Sequence, residues 1–321
     1  MEIPRRYGIT VPFDGVSLYE HRGWYEELAR LGYTDIWSSE SSGYDAFTPL
    51  TLAAAWAPAL RLGTAIVPVY TRGPATLAQC VASICAAAPG RFVLGLGTSS
   101  DVIVNRWNDI PFEAPYYRVR DTVRFLRAAL TGEKVDAEYE TFRVRGFRLD
   151  RPVDEIPPIV IAALRPGMLR LAGREGDGAI LNWLSAEDVR TVVRHVGEGK
   201  EIVARIFVWP TEDRELVGTL GRRAIAAYLN VPVYAAFHEW LGRGELLAPM
   251  WEAWRAGDRK AAVAAIPDAV VDDLIVHGSP DECRAHIERY CENGVTTPAP
   301  ALAGIPPERL GEVLRALAPS A

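Results

Sequence analysis

Residues 93–100 read VLGLGTSS, an apolar run that ends in glycines and then hydroxyl side chains. A dinucleotide-binding fold would need G-x-G-x-x-G between its first strand and the following helix. Here Ser100 occupies the third glycine position, and three strand candidates precede the stretch. A barrel strand that opens onto an active site fits better, because Gly95 and Gly97 would let a planar ligand approach the backbone. The alternative is that these glycines ease tight packing between barrel strands.

Short apolar runs alternate with helical patterns along the whole chain. The runs are continuously apolar, as is typical of parallel strands buried on both faces. The sequence therefore predicts an α/β protein, a (β/α)8 TIM barrel forming one domain over residues 1–321, with a helical insertion at about 213–280 before the last strand. An exposed hairpin is expected at 139–149. The eight strand candidates are residues 7–13, 34–40, 61–70, 91–97, 157–164, 177–183, 201–210 and 295–302.

Composition limits the classes of partner. The chain has 321 residues, 49% of them hydrophobic, and a net charge of −6 without a basic block, so nucleic acid and anionic membranes are poor candidates. No apolar run reaches the roughly 18–20 residues of a membrane span, and the N-terminal stretch lacks a signal-peptide core, so we expect a cytoplasmic protein. The four cysteines form no C-x-x-C pair, and Cys283 with His286 lacks further ligands at useful spacing. We therefore expect no metal site.

Five stretches together resemble the bacterial luciferase-like monooxygenase superfamily, and more closely its branch of deazaflavin (coenzyme F420)-dependent oxidoreductases. The resemblance covers nearly the whole chain, and the last two stretches carry it most specifically. It implies a barrel with the deazaflavin ring over the C-terminal strand ends, a small-molecule substrate and a homodimer. The stretches are TDIWSSES (34–41), LRLGTAIVPVYTRGPATLAQ (60–79), PGRFVLGLGTSS (89–100), VRFLRAALTGEKV with YETFRVRGFRL (123–135 and 139–149) and PPIVIAALRPGMLRLAGREGDGAI (157–180).

The same resemblance implies which residues bind the cofactor. Relatives have a cis non-proline peptide after the G-T pair of the third strand, which corresponds here to Ala65–Ile66. They hold the cofactor phosphate on backbone amides after the fifth strand, where free N–H groups and the positive end of a helix favour an anion. Arg165 would add a charge-assisted contact. The predicted cofactor-binding residues are Glu40, Ala65, Ile66, Thr98, Ser99, Ala162, Ala163, Leu164, Arg165 and Gly167.

The sequence also departs from the family's dehydrogenases. Those enzymes commonly carry Asp-His at the end of the second strand and a glutamate where Ser100 stands, whereas this chain has Glu40 and Ser41. Without the imidazole base, proton abstraction from a hydroxyl group has no obvious agent. We therefore predict a reductase, in which reduced deazaflavin delivers hydride to an activated C=C or C=N bond. Glu40 would act as the acid or as a hydrogen-bond partner of the ring edge, with Ser41 and Ser100 as further catalytic candidates.

Four other side chains are candidates for the substrate pocket, namely Tyr70, Trp107, Trp183 and His238. Such a largely neutral, aromatic pocket suggests an apolar or aromatic substrate. Two alternatives stay open. One is an FMN-dependent monooxygenase that uses reduced flavin and O2, and the other is a non-catalytic flavin-binding protein in which the departures reflect loss of the site.

Overall fold

Parallel strands form the wall of a barrel in the computed structural model, which describes residues 3–319. The strands are β1 (Gly8–Val11), β2 (Asp35–Ser38), β3 (Arg61–Thr64), β4 (Val67–Pro68), β5 (Phe92–Gly97), β6 (Val135–Glu138), β7 (Arg143–Phe147), β8 (Ile159–Ala162), β9 (Gly178–Asn182), β10 (Glu201–Trp209), β11 (Ile275–His277) and β12 (Thr297–Leu302). The wall runs β1-β2-β3-β5-β8-β9-β10, with β4 continuing beside β5 and β12 paired with β10. β12 also lies against β1, so eight wall positions close the barrel. The predicted fold class is confirmed.

Helices cover the outside of this wall. They are α1 (His21–Arg30), α2 (Phe47–Trp56), α3 (Pro74–Ala87), α4 (Pro115–Ala129), α5 (Pro166–Glu175), α6 (Ala186–Val193), α7 (Arg214–Leu229), α8 (Pro232–Trp240), α9 (Gly244–Arg255), α10 (Arg259–Ala264), α11 (Asp268–Leu274), α12 (Pro280–Glu292) and α13 (Pro307–Ala316). Helices α7 to α11 follow one another between β10 and β11 and lie within the predicted insertion at about 213–280. The short strand β11, which the sequence did not predict, and helix α12 separate them from the last strand, β12. Within residues 3–319, no helix is long and apolar enough to cross a membrane.

The third wall strand is interrupted, whereas the sequence predicts one strand over 61–70. Leu62 pairs with Phe92, so these partners are thirty residues apart in the sequence. Val67 pairs with Leu96, and those partners are only twenty-nine residues apart. One extra residue therefore lies on the third strand, which is the definition of a β-bulge. The bulge contains the Ala65–Ile66 peptide, and that bond is cis.

The predicted hairpin is displaced toward the N-terminus. Its strands are β6 and β7, and residues 139–142 form the connection, where Tyr139 N donates to Phe142 O at 2.8 Å. The two aromatic rings pack edge-on against Phe125 of α4. Burial of these rings against the helix outweighs the alternating pattern that suggested a strand from residue 139.

A tryptophan ring fills the middle of the barrel interior, and a buried cluster of charged side chains closes its N-terminal end. Trp37 lies at the centre, and a Cβ at Gly63 would come within 2.3 Å of its ring, so only glycine leaves room for it. Below Trp37, Arg61 donates to Asp35 at 2.9 Å and to Glu201 at 2.6 Å. Because this end is closed by a buried ion cluster, the C-terminal ends of the strands are where a ligand can enter.

Candidate active site at the barrel mouth

The parallel wall brings residues from distant parts of the sequence to one mouth. Glu40 follows β2, the Ala65–Ile66 peptide lies between β3 and β4, and Thr98 follows β5. Ala162 ends β8 and Asn182 ends β9. The side chains of Ala65, Ile66 and Ala162 are partly exposed and pack on the interior cluster, which we define as Trp37, Val93, Val160, Ile180, Val203 and Ala299. These residues form a small, apolar surface above the filled interior.

Gly95 and Gly97 permit close packing of the strands. A Cβ on Gly95 would lie 1.8 Å from the carbonyl oxygen of Thr64, and one on Gly97 would lie 2.9 Å from the Cβ of Ala162. The hydroxyl of Thr64 also accepts from Gly95 N at 2.8 Å and donates to Gly95 O at 2.9 Å. The alternative explanation of the GLG motif, tight packing between barrel strands, therefore accounts for both glycines. The packing that they allow places the 65–66 bulge beside Ala162.

Glu40 links the C-terminal ends of the second and third wall strands through hydrogen bonds. Its backbone N–H donates to Ile66 O at 3.3 Å, beside the cis peptide. Its carboxylate accepts from Arg72 at 2.6 Å, from the Thr71 hydroxyl at 3.3 Å and from Ala46 N at 3.2 Å. The guanidinium of Arg72 and two further hydrogen bonds thus hold the carboxylate in place. Ser41 beside it is exposed.

The residues after β5 form a turn and a short π-helix, Val102–Arg106. Ser99 adopts a left-handed conformation, with φ of 60°. Ser100 begins the helix, since its hydroxyl accepts from Ile103 N at 3.4 Å and its carbonyl accepts from Val104 N at 2.9 Å. Thr98 is half-buried, and its hydroxyl donates to Ser99 O at 3.2 Å.

The N-terminus of α5 offers free backbone donors after β8. Pro166 is the first helical residue, and Arg165 precedes the helix with an extended backbone and no side-chain cap. The Ala163 N–H donates to Ile180 O at 3.1 Å, whereas the N–H groups of Leu164, Arg165 and Gly167 have no hydrogen-bond partner in the described chain. Uncapped N–H groups at a helix N-terminus form a site for a phosphate. A Cβ on Gly167 would meet no atom within 4 Å, so this site has open space in front of it.

Two of the predicted pocket aromatics lie in different surroundings. Tyr70 is buried, donates its hydroxyl to Glu113 O at 2.6 Å and stacks near Phe112. Burial raises the pKa of Tyr70 to about 12, so it stays protonated. Trp107, at the end of the π-helix, is 56% exposed. It is the more accessible of the two rings, and Tyr70 anchors the loop that precedes α4.

Trp183 and His238 pack together beneath the surface of the insertion. Trp183 has φ of 55°, a strained backbone conformation for a bulky residue, and its ring lies 4.1 Å from that of Phe207. His238 of α8 is 0% exposed, and neither of its ring nitrogens forms a hydrogen bond of good geometry, although a backbone group of Trp183 lies close enough to oppose the lowering of its pKa slightly. Burial, together with the nearby charge of Arg243, lowers the pKa of His238 to about 3. Its imidazole is therefore neutral across the physiological range.

Sequence analysis missed one charged residue at the mouth. Arg205 lies in β10, where the strand reads EIVARIFVW, and Arg205 pairs in register with Asn182. Its guanidinium lies over the ring of Phe207, 4.8 Å from the centroid. The sequence did contain a signal for this residue, because a charged side chain in the middle of an apolar barrel strand is unusual. The strand sequence alone does not say whether that side chain points into the barrel or toward the helices.

No cluster of three or more histidine, cysteine or acidic side chains suited to a metal ion occurs within residues 3–319. The cysteines of that range are free thiols. The candidate site consists of strand ends, free backbone donors and aromatic side chains.

Comparison with known proteins agrees with this geometry. A 5,10-methylenetetrahydromethanopterin reductase from Methanolobus tindarius is 26% identical over 90% of this chain and 92% of its own length. The Archaeoglobus fulgidus reductase of the same name is 25% identical over 87% of this chain and 88% of its own.

Solved structures share the fold at lower identity. The coenzyme F420-dependent tetrahydromethanopterin reductase of Methanopyrus kandleri superposes with a TM-score of 0.81 at 19% identity, covering 98% of this chain and 97% of the other. An F420-dependent secondary alcohol dehydrogenase gives 0.76 at 14% identity, covering 98% of this chain and 99% of the other. The family model described as luciferase-like monooxygenase matches residues 6–297. The family predicted from the sequence motifs is confirmed, and the chain belongs to the luciferase-like monooxygenase family.

Proposed function

We propose that this protein is an F420-dependent oxidoreductase that transfers a hydride between the deazaflavin and a small organic substrate. The observation that carries the proposal is the pairing of two features at one mouth, the bulge at Ala65–Ile66 and the uncapped N-terminus of α5. Two relatives that align with about nine-tenths of the chain are 5,10-methylenetetrahydromethanopterin reductases, and F420-dependent enzymes share its fold. The F420 dependence of two structural neighbours supports the deazaflavin as the cofactor, and an FMN-bound neighbour of the same fold keeps FMN as the alternative.

The residues present suit such a cofactor. The N–H groups of Leu164, Arg165 and Gly167 would bind its phosphate, and the exposed Arg165 side chain would add a positive charge. The small side chains of Ala65 and Ala162 leave a flat apolar surface for a planar ring. When bound, the deazaflavin supplies the hydride donor or acceptor, while the protein orients it and excludes water.

We propose the direction of a reductase, acting on an activated C=C or C=N bond. An alcohol dehydrogenase needs a base that takes the hydroxyl proton as the hydride leaves. At this mouth the carboxylate of Glu40 is held by Arg72, Ser100 accepts a helix N–H, and Ser41 carries no basic group. A reductase needs only a proton donor for the second atom of the bond, and a hydroxyl group or water can fill that role. Glu40 would position the ring edge and the bulge, as its contact with Ile66 O suggests.

Parallel titrations of the purified protein with F420 and FMN test this proposal. The nine tryptophans should report binding by fluorescence. We expect saturable binding of F420 and at least tenfold weaker binding of FMN. A phosphate-free deazaflavin riboside serves as the matched ligand, and its weaker binding would show that the phosphate contributes to the affinity.

Preference for FMN would contradict the proposal and favour the oxygen-using monooxygenase. Binding of neither cofactor would also contradict the proposal, and would indicate that the departures at Glu40, Ser41 and Ser100 reflect loss of the site. We also propose that the chain acts as a single-domain homodimer, and sedimentation velocity of the full chain measures that state directly.

A further inference from the structure

The side chain of Arg205 points into the barrel at its mouth. Side chains alternate along β10, and Val203 belongs to the interior cluster while Ala204 and Ile206 pack with the outer helices. Arg205, two residues beyond Val203, therefore faces inward one layer nearer the mouth. Its register partner Asn182 stands in the same layer, two residues beyond the inward-facing Ile180.

This arginine rests on the Phe207 ring but has no internal anion in the part of the chain that the structure describes. No carboxylate of residues 3–319 lies within salt-bridge distance of it, and its Nε is buried without a hydrogen-bond acceptor. The side-chain oxygen of Asn182 is also buried and unpaired, while its Nδ2 donates to the Tyr234 hydroxyl at 3.2 Å. Buried polar groups are nearly always paired in folded proteins, so two unpaired groups in one layer mark a place for a ligand.

The other inward-facing arginine of the barrel shows what a structural role requires. Arg61, at the closed end, contacts Asp35 and Glu201 at 2.6 to 2.9 Å. The fold thus neutralises a buried guanidinium where no ligand enters. It leaves the guanidinium of Arg205 without an anion at the end that is open, which points to an anion supplied from outside.

Arg205 lies on the opposite side of the mouth from the bulge, so it would face the substrate rather than the cofactor. Counting wall strands in order, β10 stands four positions from β3 and β4, on the opposite side of the eight-position barrel. A ring resting on Ala65–Ile66 would therefore have Arg205 across the mouth from it. Phe207, under the guanidinium, and Tyr228, 6.4 Å from Phe207, add an aromatic wall on that side.

We propose that Arg205 binds a carboxylate of the substrate, so that the hydride acceptor is an organic acid with an apolar or aromatic body. The guanidinium would hold the carboxylate through paired N–H donors, and Phe207 and Tyr228 would contact the body. The unpaired oxygen of Asn182 would accept from a hydroxyl or N–H group on the same molecule. The inference rests on the proposed function for the position of the hydride donor, but carboxylate binding itself does not require the cofactor.

Binding of simple carboxylates tests the inference. Benzoate and hexanoate are titrated into the protein, with and without F420, and tryptophan fluorescence is followed; benzamide is the uncharged match for benzoate. We expect saturable benzoate or hexanoate binding that weakens about tenfold or more in Arg205→Gln, in line with the loss of a charged hydrogen bond. Benzamide should bind the wild type and this variant equally.

Two further variants keep the result interpretable. Arg143→Gln removes the same charge from the exposed hairpin strand β7 and should bind like the wild type. Arg205→Lys keeps the charge without the planar fork and should bind carboxylates with intermediate affinity. Because Arg205 makes no internal ion pair, the melting temperature of Arg205→Gln should equal or exceed that of the wild type.

Three outcomes would overturn the inference. They are equal carboxylate affinity in the wild type and Arg205→Gln, no saturable binding of either acid to the wild type, or a tenfold loss of F420 affinity in Arg205→Gln with benzoate binding unchanged. The last would assign the guanidinium to the cofactor. Failure of the wild type to bind F420 while carboxylate binding depends on Arg205 would contradict only the proposed function.

Discussion

Replacement of His238 by phenylalanine should remove a specific sensitivity to acid. The imidazole of His238 is fully buried, and neither ring nitrogen forms a hydrogen bond of good geometry. Burial and the charge of Arg243 lower its pKa from 6.5 to about 3. In the unfolded chain the same imidazole takes up a proton near its ordinary pKa. Phenylalanine has a similar planar ring and does not titrate.

The size of the effect follows from these two pKa values. Because the unfolded state binds the proton first, acid favours unfolding as the pH falls from about 6.5 toward about 3, and the stability is fully present above that window. Each pH unit inside the window removes about 1.4 kcal/mol. Between pH 8 and pH 5 the wild type should therefore lose about 2 kcal/mol through His238 alone.

Urea unfolding at pH 8, 6.5 and 5 measures this difference. We expect His238→Phe to match or exceed the wild type at pH 8, since no hydrogen bond is lost, and to lose about 2 kcal/mol less on acidification. His238→Gln, which keeps a polar group without a titrating one, should show the same flattened pH dependence. Both variants remove the titrating imidazole, but only phenylalanine keeps a planar ring. Comparing them therefore distinguishes the effect of protonation on stability from the effect of packing.

Equal losses in the wild type and in both variants between pH 8 and pH 5 would refute this reasoning. That result would mean that the imidazole can be protonated in the folded protein. His238 would then be available as a proton donor. Because the imidazole of His238 is buried and neutral, His238 does not act as an imidazolium proton donor near neutral pH.

Three other substitutions follow from the site. Gly95→Ala should prevent folding or destabilise the barrel by more than about 3 kcal/mol, because the added Cβ would lie 1.8 Å from Thr64 O. Thermal unfolding and expression yield measure this loss of stability. Glu40→Gln should lower the free energy of unfolding by about 1–3 kcal/mol through loss of the charged contact with Arg72, measured in urea, and an unchanged value would refute the role of Glu40 in linking the strand ends. Arg165→Gln should weaken F420 binding about tenfold or more with no change in melting temperature, because its side chain is exposed; equal affinity would remove it from the phosphate site.

Local patterns in the sequence determined the order of strands and helices. Continuous apolar runs separated by helical segments predict a parallel wall, because strands buried on both faces cannot carry alternating polar residues. The stretch PPIVIAALRPGMLRLAGREGDGAI predicts a strand over 157–164 and a short helix over 168–176. The structure has the strand at Ile159–Ala162 and the helix at Pro166–Glu175, which begins two residues earlier than predicted. The motifs also identified the family, and the resemblance to that family implied the cis peptide at Ala65–Ile66 that the structure has.

The roles of individual side chains depended on contacts between distant parts of the chain. Glu40 meets Arg72 across 32 positions, and Arg61 meets Glu201 across 140, so no local pattern could reveal either ion pair. The displaced hairpin follows from aromatic rings that pack on α4, which the alternating pattern does not encode.

The sequence by itself thus determined the fold class, the family and the strand ends that form the mouth, because each depends on periodicity or on a contiguous motif. Only the tertiary structure decided that Arg205 faces inward without an internal anion and that the imidazole of His238 is buried and neutral. The physical reason is that burial, charge pairing and pKa are set by neighbours that come from other strands and helices. A side chain's chemistry at the mouth is therefore a property of the closed barrel.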